Sequence, residues 1–139
     1  MIVSTQTKQQ YAEWLQGIGF THTATIRSVY PLTQMKMDKY LDSILKNNRN
    51  IDYIYSVIEP DTDPYSKAQD NKESYITTKT STGNHAHLLL RYDNVSQQLK
   101  APKNTPYTIP YYDKVEDLHR ITNYLVKYQT ENNYNLHIK

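Results

Sequence analysis

His85 and His87 are separated by one alanine, in a segment that continues into three leucines. Alternate side chains of a β-strand project from the same face, so a strand here would present both imidazoles together. Two imidazoles held on a rigid backbone can chelate one divalent cation. The spacing is uncommon by chance in a chain with five histidines. It indicates a metal site, although two hydrogen-bonded surface histidines are the alternative interpretation.

Glu59 is the candidate third ligand. It closes a segment rich in β-branched and aromatic residues, 51–58, which we predict to be a buried strand. Antiparallel pairing with the histidine strand would bring the carboxylate beside both imidazoles. Three ligands from one sheet leave coordination positions open for phosphate oxygens, as a catalytic metal requires. A mixed nitrogen and carboxylate set favours Mn²⁺ or Mg²⁺; a solvated acid at a strand end is the alternative.

The candidate nucleophile is a tyrosine near the end of the chain. Tyr124 and Tyr128 lie four residues apart in a predicted helix, and Lys127 lies within one turn of Tyr124. A phenol is mostly protonated at neutral pH. A nearby ammonium and a metal-bound phosphate would offset the charge that develops when the phenol attacks. Packing at the edge of the core is the alternative for both tyrosines, because fourteen tyrosines produce such pairs by chance.

Size and composition limit the class of protein. With 139 residues, we expect a single domain over 1–139, and the absence of cysteine excludes disulfide and thiolate chemistry. A net charge of +2 does not indicate a strongly basic nucleic-acid binder. Fourteen tyrosines offer flat surface for unstacked bases, although AT-rich codons would also explain them. Three glycines and no glycine-rich phosphate loop argue against a fused ATP-driven helicase.

Periodicity predicts four strands. Residues 20–29 alternate and stop at Pro31, and residues 51–58 form the second strand. Residues 75–80 and 85–92 read as a hairpin around a Gly-Asn turn. The intervening polar segment, 61–72, and the proline-containing segment, 101–110, are predicted loops, and residues 94–99 a helical turn.

Two substantial helices are predicted. Thr33 caps one over 34–47, with Met35, Tyr40, Leu41, Ile44 and Leu45 on its core side. Asp113, with Glu116 three residues on, predicts a capping box for a helix that ends near residue 131. Residues 8–16 form a short helix or an extended arm. We therefore predict an α+β domain, with a central antiparallel sheet of about four to five strands flanked by helices.

In combination, the motifs resemble those of the HUH endonuclease superfamily, the metal-dependent nucleases that initiate rolling-circle replication of viruses and plasmids. Residues 85–87 are similar to its His-hydrophobic-His motif, and residues 124–127 to its Tyr-x-x-Lys motif. The threonine-bearing strand 21–27 resembles its first motif, and Glu59 the carboxylate that many viral members place before the histidines. The resemblance spans residues 20–130, and its specificity comes from the order of the motifs.

The resemblance implies an RRM/ferredoxin-like nuclease core over about 20–131. In such an enzyme, His85, His87 and Glu59 hold a divalent ion at the scissile phosphate of single-stranded DNA. Tyr124 attacks, leaving a free 3′-hydroxyl and a covalent 5′-phosphotyrosine, and the reverse reaction rejoins ends without ATP.

The resemblance also implies roles for the neighbours of Tyr124. Lys127 would orient or neutralise the phosphate. Tyr128 is either a second nucleophile or a packing residue, and packing is favoured.

The expected partners follow from that mechanism. They are a single-stranded replication origin, including hairpin forms, and a host helicase or polymerase. With no apolar run long enough for a bilayer and no leader-like start, we expect a cytoplasmic protein inside a host cell, either monomer or homodimer.

Two other functions stay open. A single-tyrosine HUH transposase typically carries a glutamine ligand four residues after the tyrosine, where this chain has Tyr128, and Gln129 follows one residue later. A noncatalytic module that stacks single-stranded nucleic acid on its sheet would use the same tyrosines. A plasmid relaxase is disfavoured, because the chain is short and lacks a three-histidine cluster.

Overall fold

A computed structural model describes residues 5–59, 83–92, 99–130 and 132–139. Within these ranges the chain forms three helices and five strands. In chain order they are α1 (Thr5–Ile18), β1 (His22–Leu32), α2 (Gln34–Asn47), β2 (Ile51–Glu59), β3 (Gly83–Tyr92), β4 (Tyr107–Lys114), α3 (Leu118–Tyr128) and β5 (Tyr134–Ile138). None of the described helices is long and apolar enough to cross a membrane.

The strands form one sheet in the order β4-β1-β3-β2-β5. Every neighbouring pair is antiparallel. Because β1 and β2 both run antiparallel to β3, they are parallel to each other, and α2 forms the crossover between them. This is the split β-α-β arrangement of ferredoxin-like folds. The predicted α+β class, an antiparallel sheet flanked by helices, is confirmed.

Side chains alternate along each strand, so the sheet has two apolar faces, and helices cover both. One face packs against α2 and forms the α2-side core, which includes Ala24, Ile26, Ile54, Ile58, Ala86, Leu88 and Leu90. The other face packs against α1 and α3 and forms the α3-side core, which includes Leu15, Tyr55, Val57, Leu89, Leu125, Val126 and Tyr128. Each fully buried leucine or isoleucine stabilises the fold by roughly 1.5–3 kcal/mol.

Helix α1 covers the segment predicted as a short helix or an arm, and it is longer than predicted. It continues through Gly17 and ends at Ile18. Gly19 follows with φ 79°, and its N–H donates to the carbonyl of Gln16 at 3.1 Å. A residue in this left-handed conformation after the last turn is a common helix stop, and glycine adopts it without strain.

Helix α2 agrees with the prediction in both its ends and its cap. The Thr33 side chain accepts a hydrogen bond from the N–H of Lys36 at 3.2 Å. The prediction for Met35 is wrong, because this side chain is 71% exposed while Met37 is fully buried. Met37 lies four residues before Leu41 and shares its stripe, whereas Met35 lies about 120° from Leu41 around the helix.

Strand β1 does not stop at Pro31 as predicted but continues to Leu32. Its register with β3 shifts between Arg27 and Leu32. Proline lacks an N–H for the ladder, so it is tolerated where the pairing is irregular.

Strand β4 was missed, because residues 101–110 were predicted as a loop on account of their prolines. It begins at Tyr107, and among the described strands it pairs with β1 alone. An edge strand has one side without ladder bonds, so Pro110 can occupy it.

Helix α3 starts later than the predicted capping box implied. Asp113 belongs to β4, and its carboxylate accepts from the N–H of Lys114 at 2.8 Å. The N-cap is Asp117, which accepts from the N–H of Arg120 at 3.0 Å. The helix ends at Tyr128 instead of near residue 131. The capping-box prediction is wrong because pairing with β1 holds Asp113 in extended conformation.

Strand β5 was also missed, since its five residues carry a weak alternation and follow a polar turn. Between 85 and 90, β3 pairs with β1 on one side and β2 on the other. The expected first hairpin strand, 75–80, the loop 61–72 and most of the expected turn 94–99 lie outside the described residues.

Candidate active site

The end of the β2–β3 ladder brings the three candidate ligands onto one face of the sheet. Glu59, the last residue of β2, is opposite His85, and Val57 is opposite His87. Alternation puts Ala86 in the α2-side core, so the two histidines project toward the α3 side. The spacing of the histidines puts them on one face, and the pairing of β2 with β3 brings Glu59 beside them.

Glu59 and His87 are in direct contact. The Nε2 atom of His87 lies 2.6 Å from Oε2 of Glu59, within hydrogen-bond distance. The side chain of His87 is 24% exposed and that of Glu59 is 19% exposed, so both remain accessible from solvent. A carboxylate at this distance fixes the orientation of an imidazole ring. His85 is half-buried on the same face.

The donor types at this position suit a divalent cation, but the side chains do not enclose one in this conformation. Among the described residues, no group of three or more His, Cys, Asp or Glu side chains is placed to hold a metal ion. The facing atoms of Glu59 and His87 are already joined by a hydrogen bond. Metal binding would require that bond to open, so that Nε2 of His87 and Oε2 of Glu59 can face a cation.

Tyr124 lies next to this pair. Helix α3 packs on the same face of the sheet through Leu125 and Val126. The ring of Tyr124 is 6.2 Å from the ring of His87, centroid to centroid, in an edge-on arrangement with an interplanar angle of 87°. Tyr124 is 43% exposed. The phenol is therefore both adjacent to the histidine and open to a ligand in solution.

Tyr128 and Lys127 occupy different environments. Tyr128 is 7% exposed in the α3-side core and meets Tyr124 edge-on at 5.1 Å. It lies inside the apolar stripe, whereas the sequence placed it at the margin. Lys127 is exposed, with its Nζ 5.9 Å from the ring centroid of Tyr128. The backbone carbonyl of Lys127 accepts from Nζ of Lys8 at 2.9 Å, which ties α3 to α1.

The threonine-bearing segment 21–27 begins one residue before β1, and the rest of it lies on this strand, between β3 and β4. Thr23 donates its hydroxyl to the carbonyl of Leu88 at 3.1 Å. His22 is buried on the opposite face from the candidate site, stacked on Tyr112 and edge-on to Tyr92. Burial raises the pKa of Tyr92 and of Tyr112. These contacts are structural.

A cleft of about 320 Å³, which no local sequence pattern predicts, opens beside Tyr124. Tyr111 on β4 is opposite Thr25 on β1, which is itself opposite His87 on β3. The three residues thus form one row on the α3-side face, with Tyr111 about 10 Å from His87 at the usual strand spacing. The lining residues are Thr23, Tyr111, Lys114, Val115, Glu116, Asp117, Arg120, Ile121 and Tyr124.

Comparison of the chain with protein-family models, with curated proteins and with solved structures found no match. The function is therefore inferred from the chemistry of the residues and their arrangement.

Proposed function

We propose that this chain is a metal-dependent endonuclease that nicks and rejoins single-stranded DNA through a covalent tyrosine intermediate, as in rolling-circle initiation. The observation that carries the proposal is the contact of the Tyr124 ring with His87, whose Nε2 is hydrogen-bonded to Glu59. A helix-borne phenol beside a sheet-borne imidazole and carboxylate brings a nucleophile and metal-ligand types to one position, which supports phosphoryl transfer to tyrosine. Exposure of Tyr124 leaves room for a polymeric substrate.

In the proposed reaction the hydroxyl oxygen of Tyr124 attacks the scissile phosphorus. The new bond joins this oxygen to phosphorus, and the bond from phosphorus to the 3′ oxygen breaks. The phenolic proton leaves to solvent, and the departing 3′ oxygen takes up a proton to become a hydroxyl. The product is a 5′-phosphotyrosine, which retains a phosphodiester-type bond, so a 3′-hydroxyl can later attack it and rejoin the strand.

His85, His87 and Glu59 are the residues that would hold Mn²⁺ or Mg²⁺. A bound divalent cation supplies electrostatic stabilisation of the charge that develops on the phosphate. Before a cation binds, the carboxylate of Glu59 orients the imidazole of His87 through their hydrogen bond, which opens when both groups turn to the cation.

Lys127 and Tyr128 take secondary roles. The exposed ammonium of Lys127, within one turn of Tyr124, adds positive charge near the attacked phosphate. Tyr128 is buried against the sheet. We assign it the support of the Tyr124 ring and not the role of a second nucleophile.

One contact favours the initiator over the transposase. The hydroxyl of Tyr55 donates a hydrogen bond to Oε1 of Gln129, within the region between α3 and the sheet. Gln129 is therefore held by a core tyrosine, whereas Glu59 already contacts His87 and is the third ligand that we propose. The partners we propose are a single-stranded origin and host replication proteins, which places the activity inside a host cell.

The test is a labelling experiment with purified protein, Mn²⁺ and random or hairpin oligonucleotides. The covalent bond is to the 5′-phosphate, so a 3′ label follows the adduct and a 5′ label follows the released 3′-hydroxyl strand. We expect Tyr124→Phe to abolish the adduct. Tyr30→Phe, which alters a tyrosine that is 62% exposed far along β1, is the matched control and keeps it.

Two results would contradict the proposal. Unchanged nicking by Tyr124→Phe removes the assigned nucleophile. Tight oligonucleotide binding without any adduct or bound metal favours the noncatalytic binding module.

A further inference from the structure

We infer that the cleft beside Tyr124 binds the nucleotide that adjoins the scissile phosphate, with its base against Tyr111 and its phosphate at Arg120. This inference rests on the proposed function and names the part of the substrate that the cleft takes. The cleft is defined by Tyr111, Lys114, Glu116, Arg120 and Tyr124 with their neighbours.

Position is the first argument. Tyr124 lines the cleft and also touches His87, so the attacking hydroxyl belongs to a residue shared by the cleft and the histidine site. Arg120 lies four residues before Tyr124, which places both on one side of α3. A DNA strand whose phosphate reaches Tyr124 must therefore continue either past the cleft or past the other side of Tyr124.

Size and surface are the second argument. A volume of about 320 Å³ is at the lower end of the range for small-ligand sites, which suits a single nucleotide. Tyr111 is 52% exposed and offers an aromatic ring to the cleft. Base stacking on an exposed aromatic ring is the usual way to hold an unpaired base.

Charge is the third argument. The lining carries two cationic residues, Lys114 and Arg120, and two acidic ones, Glu116 and Asp117. Asp117 is engaged as the N-cap of α3. A cleft with this balance does not favour a purely anionic ligand, but it suits a ligand with one phosphate and one uncharged planar group.

The test separates the two contacts. Tyr111→Ala should weaken binding of a single-stranded oligonucleotide about tenfold, and Tyr111→Phe should restore it because the ring is retained. Tyr30→Ala is the control for loss of an exposed tyrosine. Arg120→Gln should weaken binding to all sequences and lower the dependence on salt by about one phosphate contact. Arg49→Gln is the control for Arg120→Gln, because Arg49 precedes the start of β2, at the end of this strand opposite Glu59.

Abasic oligonucleotides locate the bound base. We expect the penalty of Tyr111→Ala to disappear when one nucleotide flanking the cleavage position lacks its base, and to persist when other bases are removed. In this assignment Tyr111 is a positioning residue, because its ring holds the base and does not react.

The outcomes distinguish the two proposals. If the wild-type chain forms the adduct and Tyr111→Ala binds every oligonucleotide as well as wild type, the cleft assignment is overturned and the proposed function stands. An equal penalty for every abasic oligonucleotide also overturns it. If the wild-type chain forms no adduct, the proposed function fails and the cleft assignment fails with it.

Discussion

Glu59 and His87 are diagonal neighbours on two adjacent strands, and their side chains meet at 2.6 Å. The residues directly opposite them are His85 and Val57. Diagonal neighbours are within reach of long side chains, so this register allows the Glu59 carboxylate to reach His87. His85 is left as the second imidazole on the same face.

The first prediction concerns metal binding. We expect Glu59→Gln to lower Mn²⁺ affinity by at least about tenfold, because even the loss of an outer partner of a metal ligand has an effect of this size. Gln has the same size and shape as Glu, so the substitution leaves no cavity. Isothermal titration with Mn²⁺, in the absence of DNA, measures the effect directly.

Asp38→Asn is the matched control for that titration. Asp38 contacts Nε2 of His137 at 2.8 Å, in a second histidine–carboxylate pair between α2 and β5. Its loss should leave Mn²⁺ affinity unchanged. An unaltered titration for Glu59→Gln would remove Glu59 from the site.

The second prediction concerns Tyr128. Because it is 7% exposed in the α3-side core, Tyr128→Ala should lower the free energy of unfolding by about 3 kcal/mol. Tyr128→Phe keeps the ring and should keep adduct formation. Urea unfolding and the adduct assay check the two effects. Peptide mapping that finds DNA attached to Tyr128 would show that it is a nucleophile after all.

The third prediction concerns the start of α3. Asp117→Ala removes the side chain that accepts from the N–H of Arg120, and should lower the free energy of unfolding by about 1 kcal/mol. Asp113→Ala is the control, since the Asp113 carboxylate accepts from the N–H of its neighbour Lys114 in β4 and lies outside α3. Equal losses in urea midpoints for the two variants would argue against Asp117 as the cap.

The fourth prediction concerns alkaline pH. Burial, followed by the proximity of Tyr107, raises the pKa of Tyr40 to about 12 from 10.0. Since the unfolded chain loses this proton first, stability is intact below pH 10 and falls as pH rises from 10 toward 12, by up to about 3 kcal/mol. Tyr40→Phe should flatten this decline.

Tyr11 allows an independent check. Burial, with a smaller contribution from Tyr134, raises the pKa of Tyr11 to about 12 as well. It lies on α1, against the opposite face of the sheet from Tyr40. Effects of distant sites usually add. The variant that combines Tyr40→Phe with Tyr11→Phe should therefore show the sum of the two single changes in the pH profile of unfolding. If the pH profile of unfolding of this variant were identical to that of the wild type, the raised pKa values of Tyr40 and Tyr11 would be contradicted.

The sequence alone predicted the elements whose signal is local. Alternation predicted β1, β-branched and aromatic content predicted β2, and a threonine cap with a 3.6-residue stripe predicted α2. The same alternation predicted that His85 and His87 share a face. A period of two or 3.6 residues is a property of neighbouring positions, so it can be found without knowing any partner.

Tertiary structure decided the rest. β4 was not predicted, because residues 101–110 contain prolines. It forms through backbone pairing with β1. Because this pairing includes Asp113, the helix begins later and its N-cap is Asp117 instead of the predicted Asp113. The packing of α3 on the sheet brought Tyr124 to His87 and created the cleft with Tyr111. These relationships join positions far apart in the chain, and they depend on strand order and register, which no local pattern specifies.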